Sequence, residues 1–190
     1  MKIKNVLFTL AIGVISTSSF AQDNNTDAHN VSVTIPEVAL LDLEASSGTS
    51  ISLAPTAPTE AGLAADFSAA SDNSIWINYS SIVGSTTEPS RNVSVQITSG
   101  ALPSGVALRV TPSTDAGQGE GTMGAVGTSA ITLGTTAQNV VTGIGSAYTG
   151  DGVAKGHNLT YKLDKLPGAF GQLDFDQSST LVISYTLSDN

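Results

Sequence analysis

The strongest constraint on the fold is a period of two. Val31, Val33 and Ile35 alternate with Ser32 and Thr34. Successive side chains of an extended chain point to opposite faces, so such a run makes a strand with one apolar face. The pattern returns at 92–98, where Val93, Val95 and Ile97 alternate with Ser94 and Gln96, and at 106–110 with Val106, Leu108 and Val110. It returns again at 158–163 (Leu159, Tyr161, Leu163) and at 181–187 (Leu181, Ile183, Tyr185, Leu187). A more apolar run spans 38–43, and shorter candidates lie at 51–53, 74–80, 131–133, 139–144 and 173–175. Turn formers separate these runs: Ser46-Ser47-Gly48, Leu102-Pro103-Ser104-Gly105, Thr149-Gly150-Asp151-Gly152 and Leu166-Pro167-Gly168. There is no long helical period, and only 60–70 tolerates a short helix. About ten short strands joined by Gly, Pro and Asp turns predict an all-β chain, a single antiparallel β-sandwich of Ig-like or jelly-roll-like type.

The N-terminus carries an address. Lys2 and Lys4 precede an apolar run at 6–15, and a polar stretch ends in Ser19-Phe20-Ala21 ahead of Gln22. That layout predicts a secretory signal peptide at 1–21. The apolar run is about half the roughly 20 residues that a membrane span requires. The expectation is an exported protein (periplasmic, cell-surface or secreted) that does not span the membrane. Residues 22–30 are polar and read as a flexible leader, which leaves 31–190 as one sandwich domain. Loss of Lys2 and Lys4 makes the mature chain two charges more acidic than the -9 of the whole. With 16 acidic residues against 7 Lys and Arg, the chain lacks the clustered positive charge that phosphate recognition needs, which excludes a nucleic-acid partner. The lack of cysteine removes disulfides, thiolate zinc sites and thiol nucleophiles together. An exported chain without disulfides relies on packing and backbone pairing.

Catalytic constellations are missing. His29 lies in the leader, and His157 opens a strand as a surface or turn histidine with no G-x-S-x-G serine anywhere to serve. No catalytic residue and no enzyme activity are expected. Asp174 and Asp176 flank Phe175, so an extended segment would turn both carboxylates to solvent and Phe175 to the core. Calcium takes several oxygen ligands, which makes Asp115 and Glu120 of the Gly-rich loop 115–124, Asp151, Asp174 and Asp176 the calcium candidates. None falls in the spaced D-x-[DN]-x-[DN]-G pattern. No cofactor is therefore expected, a structural calcium being the one metal left open. The Gly-rich loop also lacks the Lys of a phosphate-binding loop. Trp76 falls on the phase opposite Ile75, Ile77 and Tyr79, beside Ser74, Asn78 and Ser80. It is the candidate for stacking on a surface glycan, unless a loop covers it.

Residues 31–35 follow a polar leader, and a mobile alternating segment can add itself as a strand to another subunit's open edge. Val31, Val33 and Ile35 are therefore donor-strand candidates, the alternative being the first strand of their own sandwich. The opening Val31-Ser32-Val33-Thr34-Ile35-Pro36-Glu37-Val38-Ala39-Leu40-Leu41-Asp42-Leu43 and the closing Ser184-Tyr185-Thr186-Leu187-Ser188-Asp189 resemble the first and last strands of bacterial secreted pilin-like, fimbrial β-sandwich proteins. The whole chain is similar to exported proteins of Bacteroidetes-type bacteria. Its closing segment is also similar to the end of the Gram-positive WxL wall-binding domain, with Tyr185 where that motif has Trp. The resemblance implies a non-catalytic surface or fibre protein that makes homo-oligomers by strand addition. An adhesin or carbohydrate-binding module using Trp76 or the Gly-rich loops is the alternative.

Overall fold

In a computed structural model of the chain, residues 25–190 are described; the expected signal peptide at 1–21 and the start of the leader lie outside them. The chain divides into two units after Thr34. In the first, residues 25–34 carry no strand, and Val31 and Val33 are exposed. The second, Ile35–Asn190, is the sandwich. Its strands are β1 (Val38–Ala45), β2 (Ser71–Ile82), β3 (Arg91–Ser99), β4 (Val106–Pro112), β5 (Glu120–Gly121), β6 (Ala125–Val126), β7 (Ile131–Thr132), β8 (Gln138–Ile144), β9 (Ala147–Tyr148), β10 (His157–Lys165) and β11 (Val182–Asp189).

Two antiparallel sheets form, and neither closes into a barrel. The first is built on the long β2. One edge of β2 takes β1, and the other takes β10 along its first half and β9 near its end. Beyond β10 come β4 and β7, and beyond β9 comes β5. The second sheet has the order β11-β3-β8-β6. Inward side chains of both sheets make one core. Ile75, Ile77 and Tyr79 of β2, Val110 of β4 and Leu159 and Tyr161 of β10 meet Val93, Val95 and Ile97 of β3 and Val140, Val141 and Ile144 of β8. The period of two explains most of this list. Val140 next to Val141 departs from it, because β8 holds an extra residue opposite the Val93–Ser94 step of β3.

Three expected strands do not form, and the stretch that tolerates a helix does not form one. Residues 31–35 form no strand in this chain. Residues 51–53 are not a strand either, although Ile51 and Leu53 pack against the core from a loop. No helix forms at 60–70; a turn there leads to a single bridge between Thr56 and Asp66. Residues 173–175 follow a 3-10 turn, Phe170–Gln172, and Phe175 is 97% exposed rather than turned to the core. Among the described residues, no helix is long and apolar enough to cross a membrane.

The sandwich has two distinct ends. At one, the start of β1, the end of β2, the start of β3 and the end of β11 converge on Arg91. At the other lie the loops 100–105 and 166–181, joined by hydrogen bonds from Leu166 N–H to Gly105 O and from Ser104 N–H to Gln177 Oε1.

Candidate functional site

Arg91 stands two residues before Val93, so it shares the inward phase of β3 and is 1% exposed. A buried guanidinium is tolerable only when its donors are met. Here Nε donates to Asp189 Oδ1 at 2.8 Å, and Nη1 donates to Val38 O at 2.6 Å and Ile82 O at 3.1 Å. Nη1 also reaches Ser81 Oγ at 3.2 Å, and Nη2 pairs with Glu37. Glu88 stands 4.0 Å from Nη2. One planar fork thus ties β1 and β2 of one sheet to β3 and β11 of the other. Glu37, Glu88 and Asp189 also have the spacing of a metal site, but the guanidinium supplies the positive charge among them.

The clamp closes one end of an otherwise open side. β1 pairs only with β2, and β11 only with β3, so each keeps a free edge of eight residues. The outer edges of the seven-residue β4 and β8 are paired only in part, by the two-residue β7 and β6. Inward side chains on the open side are incompletely covered. Leu41, Leu43 and Ala45 of β1, and Ile183, Tyr185 and Leu187 of β11, are only half-buried against the core. By contrast, Ile77, Val93 and Val95 are 0% exposed. Tyr161 and Tyr185 bridge the sheets through hydroxyls 2.8 Å apart. Burial pushes the Tyr161 hydroxyl up to about 12 and that of Tyr185 higher still, so both stay neutral. Val31, Val33 and Ile35, the donor-strand candidates, are 74%, 83% and 75% exposed and enter no strand pairing. A long free strand edge is a template for another chain.

A second polar node lies in the core. His157 is not at the surface: it faces inward opposite Ile77, is 1% exposed and stacks on Tyr79 with ring centroids 5.7 Å apart. Its Nδ1 lies 2.8 Å from Ser113 O; a carbonyl only accepts, so Nδ1 carries the proton. Nε2 lies 2.9 Å from the Tyr79 hydroxyl, whose one hydrogen is shared between that nitrogen and Met123 O. Burial lowers the His157 pKa, opposed by the Ser113 carbonyl and the Asp115 charge. Tyr79 and His157 are both buried, 3% and 1% exposed, so the node lies within the core.

The remaining candidates are scattered. Trp76 is half-buried on the outward face, in register with Glu44 and Asn158. Beside that row is a shallow cleft of about 520 Å³ lined by Leu40, Asp42, Asn78, Ser80, Tyr148 and Asp151. Asn78 Nδ2 donates to Gly152 O at 2.9 Å, which folds the 149–156 loop over part of this face. Asp115 Oδ2 caps Gly117 N–H at 2.7 Å, Glu120 is exposed on β5, and Asp174 Oδ1 accepts from Asp176 N–H at 3.0 Å in the exposed loop. The structure brings none of Asp115, Glu120, Asp151, Asp174 and Asp176 into the carboxylate cluster of metal-binding spacing found among the described residues. Arg91 is the residue that a reading of motifs misses, although its phase with Val93, Val95 and Ile97 marks it as inward. No family model, curated protein or solved structure matches this chain.

Proposed function

We propose that this chain is a non-catalytic exported structural protein, a pilin-like subunit of a surface fibre that joins its copies by β-strand addition. One observation carries the reading: an alternating apolar segment with every apolar side chain exposed occurs in a chain whose sandwich leaves two long strand edges free beside half-buried apolar side chains. Added strands gain main-chain hydrogen bonds along the edge, and alternate side chains fill the uncovered positions. The test is deletion of residues 22–35, with negative-stain imaging of the exported material. Loss of fibres and multimers, with Trp76 fluorescence still reporting a folded sandwich, is expected; unchanged assembly overturns the reading.

A second reading rests on the outward face of the first sheet. Trp76 is half-buried rather than sealed, and Tyr148, 51% exposed, lines the neighbouring cleft with Asp42 and Asp151. Exposed aromatic faces beside carboxylates suit a sugar ring, which makes an adhesin the alternative. A glycan array decides it: binding that survives both Trp76→Ala and Tyr148→Ala removes this face as the site.

A further inference from the structure

The cleft on the outward face of the first sheet is lined in two rows. Leu40, Ser80 and Tyr148 stand opposite one another on β1, β2 and β9. Two residues along, Asp42 stands opposite Asn78, and Asp151 joins the lining from the 149–156 loop. Two residues of extended chain put the rows about 6.5 Å apart. The loop is tied down on both sides of Asp151. Thr149 N–H donates to Tyr79 O at 3.1 Å, and Asn78 Nδ2 donates to Gly152 O at 2.9 Å. The wall that carries Asp151 is thus preformed.

Acceptors dominate the second row. Asp42 and Asp151 are exposed carboxylates, and neither enters an ion pair among the described residues. Asn78 is 4% exposed, and its Oδ1 has no hydrogen-bond partner. Among the described residues, no Lys or Arg lines the cleft. Two unneutralised carboxylates in one concave site draw a positive charge and repel an anion. A metal ion is the poorer occupant. Calcium needs about six to eight oxygens converging at about 2.3–2.6 Å, whereas the carboxylates with metal spacing are those around Arg91. A bare ion also leaves the carbon surface of the first row unused, where Leu40 is 65% exposed and Tyr148 51%. An organic ammonium uses both rows, through charge-assisted hydrogen bonds and through the aromatic face.

We propose that the cleft binds a sugar carrying a free amine, a 2-amino-2-deoxyhexose, with its ring on Tyr148 and its ammonium between Asp42 and Asp151; this rests on the outward face being a glycan site. The volume of about 520 Å³ lies within the roughly 300–1,000 Å³ of small-molecule sites. N-acetylation removes the charge that the carboxylates attract. A carboxylate or sulfate on the sugar meets two like charges, so acidic glycans are excluded.

The exported chain, isotope-labelled and free of calcium, is titrated with trisaccharides of glucosamine, N-acetylglucosamine and glucose that share one linkage. The glucosamine form is expected to bind about tenfold more tightly than the other two and to move the amide signals of 78–80 and 148–151. Asp42→Asn and Asp151→Asn, isosteric changes at exposed side chains, are each expected to weaken it about threefold at low salt, and together about tenfold, without shifting thermal unfolding. Equal binding of the three sugars overturns the ammonium assignment and leaves the glycan reading standing. Glucosamine binding that both aspartate changes leave untouched overturns the cleft as its site. Binding that appears only when calcium is restored overturns the organic cation in favour of a metal. A lysine tripeptide that binds as tightly as the glucosamine form overturns the sugar as the source of the amine. If no trisaccharide binds, the proposal fails; glycan-array binding that Trp76→Ala and Tyr148→Ala abolish then still upholds the glycan reading, whereas an array without binding ends both.

Discussion

Arg91→Ala is expected to lower the unfolding free energy by about 3–4 kcal/mol. The guanidinium donates to three uncharged acceptors, Val38 O, Ile82 O and Ser81 Oγ. Stranding each of them costs on the order of 1 kcal/mol, or about 3 kcal/mol together. Its carboxylate partners add less. Glu37, Asp189 and Glu88 are 64%, 46% and 41% exposed, so they rehydrate when the arginine leaves, and their screened pairing contributes about 0.5–1 kcal/mol in all. For a domain of this size the loss corresponds to a fall in Tm of roughly 10 °C. Arg91→Lys keeps the charge, but one ammonium cannot span Val38, Asp189 and Glu37 at once; about half the loss is expected. Urea unfolding followed by Trp76, the only tryptophan, measures both. A loss below about 1 kcal/mol in Arg91→Ala refutes the clamp. So does a Glu37→Ala variant as damaging as Arg91→Ala, because that places the energy in an exposed ion pair.

Three further expectations test the core. The folded state holds His157 below its ordinary pKa of 6.5, so folding favours the neutral ring; stability is full above 6.5 and declines as pH falls towards the folded value. Thermal melts between pH 7.5 and 5.5 are expected to show that decline, and His157→Gln to flatten it; an unchanged slope rejects the assignment. Tyr185→Phe breaks the bridge to Tyr161 and is expected to cost about 1 kcal/mol, with the Tyr161→Phe/Tyr185→Phe pair clearly less than additive; strict additivity refutes the inter-sheet bond. Gly156 has φ +63°, and a Cβ there would lie 2.0 Å from Ile77 O, so Gly156→Ala is expected to cost more than about 2 kcal/mol, while Gly127→Ala, with open space around it, is near neutral in the same melt.

How far the fold is legible in the sequence depends on whether a residue's partner is local. Alternation at 92–98, 106–110, 158–163 and 181–187 is a property of consecutive side chains, and each run became a strand close to its expected bounds. The same pattern at 31–35 is as regular, yet it forms no strand, because periodicity alone does not bring a partner strand alongside. Leu173-Asp174-Phe175 shows the converse error. Three alternating residues without a neighbour strand fold into a turn and leave Phe175 in solvent.

The sequence by itself determined the all-β class, the inward faces of the main strands and the lack of any thiol chemistry, since each follows from residue type and spacing alone. Only the tertiary structure decided that Arg91 binds four strands, that His157 is a core residue, and that β1 and β11 share an open side. The physical reason is that these features are pairings across long loops. Arg91 and Asp189 lie 98 residues apart, and Tyr79 and His157 78 apart. A strand's period states which way a side chain points, but not what stands opposite.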